Sequence, residues 1–297
     1  MLTIHSCNLC PRQCGVDRRR QAGYCGVKGE TVRVGRASLH LWEEPVISGE
    51  NGSGTIFFAG CTLGCPYCQN YSLSHGCTGK DITVYDLAKV MLSLQRQGAH
   101  NINLVTPTHY SVHILQAAKI ARDLGLLLPI VYNTSGYESE EAIGALRGTV
   151  DIFLTDLKYY DSALSELHIG IPDYFTAADK ALRQMVEQTG TPVIRNNLME
   201  SGVIVRHLVL PGHIDDSKRV IRYLHDTYGG DILISIMNQY TPVRKMKEPM
   251  MNSVLPSEAY QEVIDFALSI GVTNAFIQEE GTQEESFIPE FNGEGVL

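Results

Sequence analysis

The residues best suited to chemistry in this 297-residue chain are its cysteines. All eight fall within the first 77 positions, which leaves 220 residues without one. Three of them, Cys61, Cys65 and Cys68, form a C-x3-C-x2-C triplet inside Cys61-Thr62-Leu63-Gly64-Cys65-Pro66-Tyr67-Cys68. Three thiolates in so short and turn-rich a loop can converge on one inorganic centre. A [4Fe-4S] cube normally takes four cysteine ligands, so three leave one iron open to a substrate or cofactor. A zinc site is the competing reading, although zinc knuckles usually close with a fourth ligand at matched spacing.

Four further thiols are spaced as Cys7-x2-Cys10-x3-Cys14-x10-Cys25. They can hold a tetrahedral zinc that folds an otherwise core-poor segment, or an auxiliary [4Fe-4S] cluster, or no metal at all. The spacing leaves these readings open. Pro11 and Gly15 suit tight turns around any such ion. Cys77 falls outside both spacings and reads as an ordinary free thiol. His109 and His113, four apart at a helix start, can reach one metal, but Tyr110-Ser111-Val112 between them lacks the glutamate of an H-E-x-x-H site. A structural or substrate-contact role for His109 is the preferred reading. Tyr110 is a candidate for substrate contact or electron relay.

Composition narrows the setting in which this chemistry operates. With 44% hydrophobic and 19% charged residues the chain is ordinary globular material. Its formal charge of −9 disfavours non-specific nucleic-acid binding, and Arg18-Arg19-Arg20 is one candidate for a small basic patch. No apolar run approaches a bilayer span, and Met1-Leu2-Thr3-Ile4-His5 lacks a signal-peptide layout. A soluble, cytoplasmic protein that does not engage a membrane is expected. Clustered thiols in such a chain point to metal or redox chemistry rather than to disulfides.

The elements that must position these residues follow from periodicity. Strands are expected at Thr55 to Phe58, Ile102 to Val105, Pro129 to Tyr132, Val150 to Leu154, Val203 to Leu210 and Ile232 to Met237. Helices alternate with them: one begins at the capping pair Thr83 and Asp86, one is capped by Ser111, and others cover Ser139 to Leu146, 176–189 and 216–228. Ser257 is read as the cap of a last helix ending at Gly271, and the tail from Gln278 to Val296 carries no recognised motif. The expected organisation is a Cys-rich segment over 1–50, a core over 51–240 and a C-terminal extension over 241–297 packed on it. Six βα units fit either a partial or complete parallel barrel or a doubly wound sheet. The triplet sits in a long loop after the first strand, where functional loops belong.

Cys61-x3-Cys65-x2-Cys68, with Tyr67 before the last cysteine, resembles the signature of the radical S-adenosylmethionine superfamily. Within it the chain is similar to the pyruvate formate-lyase activating enzyme group, particularly its branch with a cysteine-rich N-terminus. The resemblance implies an α/β fold, a partial parallel (β/α)6 barrel, and a [4Fe-4S] cluster on the triplet whose open iron is chelated by S-adenosylmethionine. It further implies reductive cleavage of that cofactor to a 5′-deoxyadenosyl radical, which abstracts hydrogen from a substrate, and an electron donor such as flavodoxin or ferredoxin. Asp156-Leu157-Lys158 matches the group's Asp-Leu-Lys motif, and Asn133-Thr134-Ser135-Gly136 resembles its Asp-Thr-Asn-Gly segment with Asn133 replacing the acid. Cofactor contacts are thereby assigned to Tyr67, Asn133, Ser135, Asp156 and Lys158, and to Gln239 near the ribose. The usual Gly-Gly-Glu segment is replaced by Thr106-Pro107-Thr108-His109, where Thr106 and Thr108 can accept a hydrogen bond from the methionine amine. The substrate expected first is a glycine of a partner glycyl radical protein. The alternatives are a radical enzyme acting on a small molecule or peptide and, last, a non-catalytic Fe-S or Zn protein.

Overall fold

The computed structural model describes residues 2–278 and 289–296. In chain order the elements are β1 (Val32–His40), α1 (Pro45–Ser48), β2 (Ser53–Phe58), α2 (Tyr71–Ser74), β3 (Lys80–Ile82), α3 (Val84–Arg96), β4 (Ile102–Val105), α4 (Ser111–Asp123), β5 (Ile130–Thr134) and α5 (Glu140–Ala145). They continue with β6 (Ile152–Asp156), α6 (Ser162–Ile169), α7 (Tyr174–Thr189), β7 (Val193–Arg195), β8 (Leu198–Leu208), α8 (Ile214–Tyr228), β9 (Leu233–Met237), α9 (Ser257–Ser269) and β10 (Ala275–Ile277).

One sheet carries the order β10-β9-β8-β6-β5-β4-β2-β1-β3. From β2 through β10 every neighbour on that path is parallel, whereas β1 runs antiparallel to both β2 and β3. The fold is a partial parallel (β/α) barrel in which the six expected strands are joined by β10 as a short seventh. No helix among the described residues is long and apolar enough to cross a membrane.

Local chemistry explains the best-defined boundaries. Thr83 accepts the Asp86 N–H and donates its hydroxyl to the Asp86 carboxylate at 2.7 Å, closing the first turn of α3. Ser139 accepts the Ala142 N–H at the start of α5. Ser111 and Ser257, by contrast, stand inside the first turns of α4 and α9 and do not cap them; Tyr110 and Pro256 occupy the cap positions without side-chain bonds. The Ser111 hydroxyl instead donates to the Thr108 carbonyl, closing the 3-10 turn before α4. Asn196 and Asn197, at φ +50° and +62°, make the two-residue turn of the β7–β8 hairpin.

The period of two along each strand sorts side chains into two cores. Ile130, Tyr132, Phe153, Val203 and Val205 join the layer packed under the helices, while Val131, Ile152, Leu154 and Ile204 face the barrel lumen. The lumen is plugged from within this chain: Ile47, on α1, is fully buried against those four residues and Met199. The segment joining β1 to β2 therefore forms the floor of the barrel. At the other end of the chain, Gly293 N–H donates to Gly35 and Ala37 N–H donates to Glu294, so the described C-terminal residues run along β1. The acidic stretch 279–288 lies outside the described residues.

If Ile47 anchors the floor, Ile47→Ala is expected to cost about 2–5 kcal/mol of stability. A denaturant titration should show the midpoint falling, and an unchanged midpoint would mean that α1 is not packed in the lumen.

Candidate functional site

Continuing up the lumen, the same alternation that sends Val131, Leu154 and Ile204 inward sends Asn133, Asp156 and Arg206 inward one step later. They surround a charged network. Arg206 donates from Nε to Asp156 at 3.2 Å, from Nη1 to Glu43 at 3.1 Å and from Nη2 to Asn133 at 2.6 Å. Glu43 also accepts from Asn103 at 2.9 Å and Asn133 at 3.3 Å, and Lys158 Nζ meets the other oxygen of Asp156 at 2.6 Å. Burial alone would push the Asp156 carboxyl up, but Lys158 and then Arg206 pull it below its ordinary range. The Lys158 ammonium, disfavoured by burial, is held above its ordinary value by Asp156 and the Cys65 sulfur. Glu44 is buried, and desolvation raises its carboxyl against the pull of Arg206.

Above this network lies a cavity of about 520 Å³, within the range of roughly 300–1,000 Å³ common for small-molecule sites. Its lining brings together Cys61, Cys65, Cys68, Tyr67, Thr106, Asn133, Ser135, Asp156, Lys158 and Gln239. Thr108 is the exception among the expected cofactor contacts. It is buried away from the lining, and its hydroxyl donates to the Glu138 carboxylate at 2.5 Å. Glu138 also accepts the Thr134 hydroxyl, and burial pushes its carboxyl up to about 7. Thr106 sits at φ +59°, a left-handed conformation rare for a β-branched residue, at the C-terminal end of β4 and on the cavity wall. Gln239 is oriented by Gln278, whose amide donates to it at 3.1 Å.

The triplet loop is held from two sides. The Cys61 N–H donates to the Cys25 carbonyl at 3.2 Å, and Arg12 donates to the carbonyls of Thr62 and Leu63 at 3.1 and 3.4 Å. Gly60, just before it, stands at φ +84°, and a Cβ there would lie 2.4 Å from the Cys25 carbonyl oxygen. On the far side Tyr67 shares a 2.5 Å hydrogen bond with Tyr159, whose hydroxyl meets His168 Nδ1 at 3.2 Å; His168 Nε2 in turn meets Glu248 at 2.8 Å. Burial keeps the His168 pKa below its usual value.

The donor set fits an iron–sulfur cube with one open corner. Main-chain N–H groups of Leu63 and Gly64 point at Cys61 Sγ from 3.4 and 3.5 Å; burial raises all three thiols, and the Lys158 cation opposes that rise at each sulfur. Zinc–sulfur bonds of about 2.3 Å would draw tetrahedral ligands to roughly 3.8 Å from one another. Among the described residues, the group whose ligand atoms all lie within 4.8 Å of one another is His168, His213 and Glu248, not the cysteines. The sulfurs are thus spread more widely than one ion requires.

Other candidates are placed elsewhere. His109 Nε2 meets the Ala59 carbonyl at 2.8 Å and His113 Nε2 the Gly29 carbonyl at 2.9 Å, so the two rings engage separate backbone groups through those atoms. Tyr110 is fully buried, with its hydroxyl taken by the Arg33 N–H at 3.1 Å. Sequence spacing missed Arg206 and Glu43, which meet across 163 residues, and Tyr159 and His168 behind Tyr67. An arginine directly after the apolar run Val203-Ile204-Val205 was the available signal for the first.

A family model described as the radical SAM superfamily matches residues 55–224. The uncharacterized protein MJ0674 of Methanocaldococcus jannaschii is 30% identical over 274 residues, 88% of this chain and 74% of that protein. Among solved structures, a radical SAM methyltransferase from Sphaerobacter thermophilus superposes with a TM-score of 0.55 at 16% identity, over 77% of this chain and 67% of the other. Methylornithine synthase (PylB) superposes at 0.50 with 14% identity, over 80% and 68%. At such identities the structural likenesses speak for the fold alone.

Two outcomes test the site's electrostatics and strain. Because the folded-state value of Asp156 is depressed, its contribution to stability is complete above its ordinary value of about 3.9 and is lost as pH falls through the lower folded value. Urea midpoints of Asp156→Asn should therefore fall less steeply on acidification than those of the native protein, and parallel curves would refute the depression. Thr106→Gly removes a left-handed β-branched residue worth roughly 1–3 kcal/mol of strain. It is expected to raise the thermal midpoint while weakening S-adenosylmethionine binding in a calorimetric titration.

Proposed function

This chain belongs to the radical SAM superfamily, and from that premise we propose that it is an enzyme that draws a hydrogen atom from a glycine of a partner polypeptide. Membership implies a [4Fe-4S] cluster and S-adenosylmethionine, which together supply, when bound, the reductive cleavage that yields a 5′-deoxyadenosyl radical. Cys61, Cys65 and Cys68 would hold three irons of that cluster. Lys158, Asn133, Ser135, Thr106 and Gln239 are the lining groups placed to orient the cofactor, with Asp156 and Arg206 fixing Lys158 and Asn133 from below.

The observation that supports a polypeptide substrate is the division of charge around the cavity. Asp156, Lys158, Arg206 and Glu43 are engaged with one another. Desolvation favours a neutral Glu44. The rim instead exposes Leu41, Trp42 and Ile277, at 54, 65 and 45% of their surface. An exposed apolar rim of this kind suits a protein segment, and an interior of mutually neutralised charges suits an uncharged backbone glycine better than an ionic metabolite. A low-potential electron donor such as flavodoxin or ferredoxin completes the reaction. Chemistry on a small molecule or peptide is the second reading, supported by the cavity's closed floor.

The test is anaerobic reconstitution with iron and sulfide, reduction with dithionite, and addition of S-adenosylmethionine. The native protein should form 5′-deoxyadenosine, and Cys61→Ala/Cys65→Ala/Cys68→Ala should form none. With a purified glycyl radical protein present, an EPR doublet on that partner is expected. Cleavage without the doublet across a panel of such proteins would favour the second reading, and no cleavage by the native protein would remove both.

A further inference from the structure

The four cysteines at the N-terminus take no part in the function proposed above, yet the fold draws them together. Cys7 N–H donates to Val16 and Gly15 N–H to Cys7, folding the segment back on itself, and Gln13 N–H donates to Cys10 in a tight turn. Gly26 N–H closes a second turn on Gly23, which carries Cys25 inward. Cys7, Cys10 and Cys25 are buried and Cys14 half-buried. A Cβ on Gly23 would stand 3.6 Å from Cys14 Sγ and 3.8 Å from Cys25 Sγ, so both sulfurs face the same point of the backbone at ordinary contact distance. The Tyr24 N–H points at Cys14 Sγ from 3.4 Å, as amides point at metal-bound thiolates. Cys7 and Cys14 each act electrostatically on both Cys10 and Cys25, which places all four in one neighbourhood.

A buried cation stands beside them. Arg18 has no exposed surface, and its guanidinium donates to the main-chain carbonyls of Val27, Lys28 and His109. No carboxylate among the described residues pairs with it, and an uncompensated buried charge is costly. The same Gly23 Cβ position lies 3.8 Å from Arg18 Cδ, so the Arg18 side chain stands beside Cys14 and Cys25. A centre held by four thiolates is a net anion and supplies the missing counter-charge. Its metal follows from spacing. One zinc would bring its sulfurs to roughly 3.8 Å from one another, whereas no three of these four lie mutually within 4.8 Å. A cube, which spreads its thiolates over four iron corners, requires the wider arrangement.

We infer that Cys7, Cys10, Cys14 and Cys25 hold a second [4Fe-4S] cluster, fully ligated by protein and therefore closed to S-adenosylmethionine. Cys77 is the control ligand: its sulfur lies 3.0 Å from a Cβ built on Gly26, close to the site but outside the set of four.

Iron, sulfide and zinc are measured in the anaerobically reconstituted full chain, alongside EPR of the reduced protein with and without S-adenosylmethionine. About eight irons per chain are expected in the native protein and about four in the Cys61/Cys65/Cys68→Ala variant. The signal surviving in that variant should be indifferent to S-adenosylmethionine. Adding Cys7→Ala and Cys10→Ala should remove the remaining iron with an unchanged far-UV circular dichroism spectrum, while adding Cys77→Ala should leave it in place. A native count of about four irons, or one zinc per chain in the triple variant, would overturn the assignment. So would iron that survives loss of Cys7 and Cys10 or vanishes with Cys77. The native count reads the proposal even where a variant fails to fold, and the cofactor-sensitive signal reports separately on the triplet.

Discussion

The guanidinium of Arg206 is the hinge of this architecture. One side chain on β8 satisfies Asp156 on β6, Asn133 on β5 and Glu43 on the segment that enters the lumen from β1. A buried cation of this kind is tolerable only because its partners are charged or strongly polar and correctly aimed. The dependence is mutual: without Arg206, Glu43 would be a desolvated carboxylate inside a barrel, and Asp156 would keep only Lys158. The floor, three strands and the cavity-facing lysine are thereby made into one electrostatic unit, and strand register becomes a condition of charge balance.

The cysteine loop above that unit has little regular structure of its own beyond the single turn of α2. It is rigid because unrelated parts of the chain hold it: Cys25 and Arg12 from one side, and the Tyr67–Tyr159–His168–Glu248 chain from the other. Preorganisation of this sort matters for a cluster that must present one particular corner to a ligand, since a loosely held loop would surrender orientation. The N-terminal segment is thus structurally continuous with the site even though the family match begins only at residue 55.

Much of this was legible in the sequence for reasons that are local. The Thr83–Asp86 cap, the strand Ile102–Val105 and the nearness of Asp156 to Lys158 are all set by neighbours within four residues. Ser111 and Ser257 misled because a serine at a helix start is equally at home inside the first turn, where, as at Ser111, its hydroxyl can turn back to a carbonyl. Thr108 is expected at the cavity because it stands where the group's Gly-Gly-Glu segment would be, but the buried Glu138 beside it offers its hydroxyl a nearer acceptor. β1 escaped notice because Gly35 and two arginines interrupt its apolar alternation, although Val32 and Val34 are completely buried. The Glu43–Arg206 pair had no local signature at all; only the curl of the sheet around the β1–β2 connection brings them together.

The position of the plug in the chain has a consequence for how the molecule is made. Glu43 and Ile47 precede every parallel strand they will be enclosed by. During synthesis the filling of the barrel therefore leaves the ribosome before its wall, and the strands wrap around a segment already present. Until β8 delivers Arg206, that segment carries an acid with its cation missing. Closure and neutralisation then arrive together late in translation, so incomplete chains have no stable early form of the site to be trapped in.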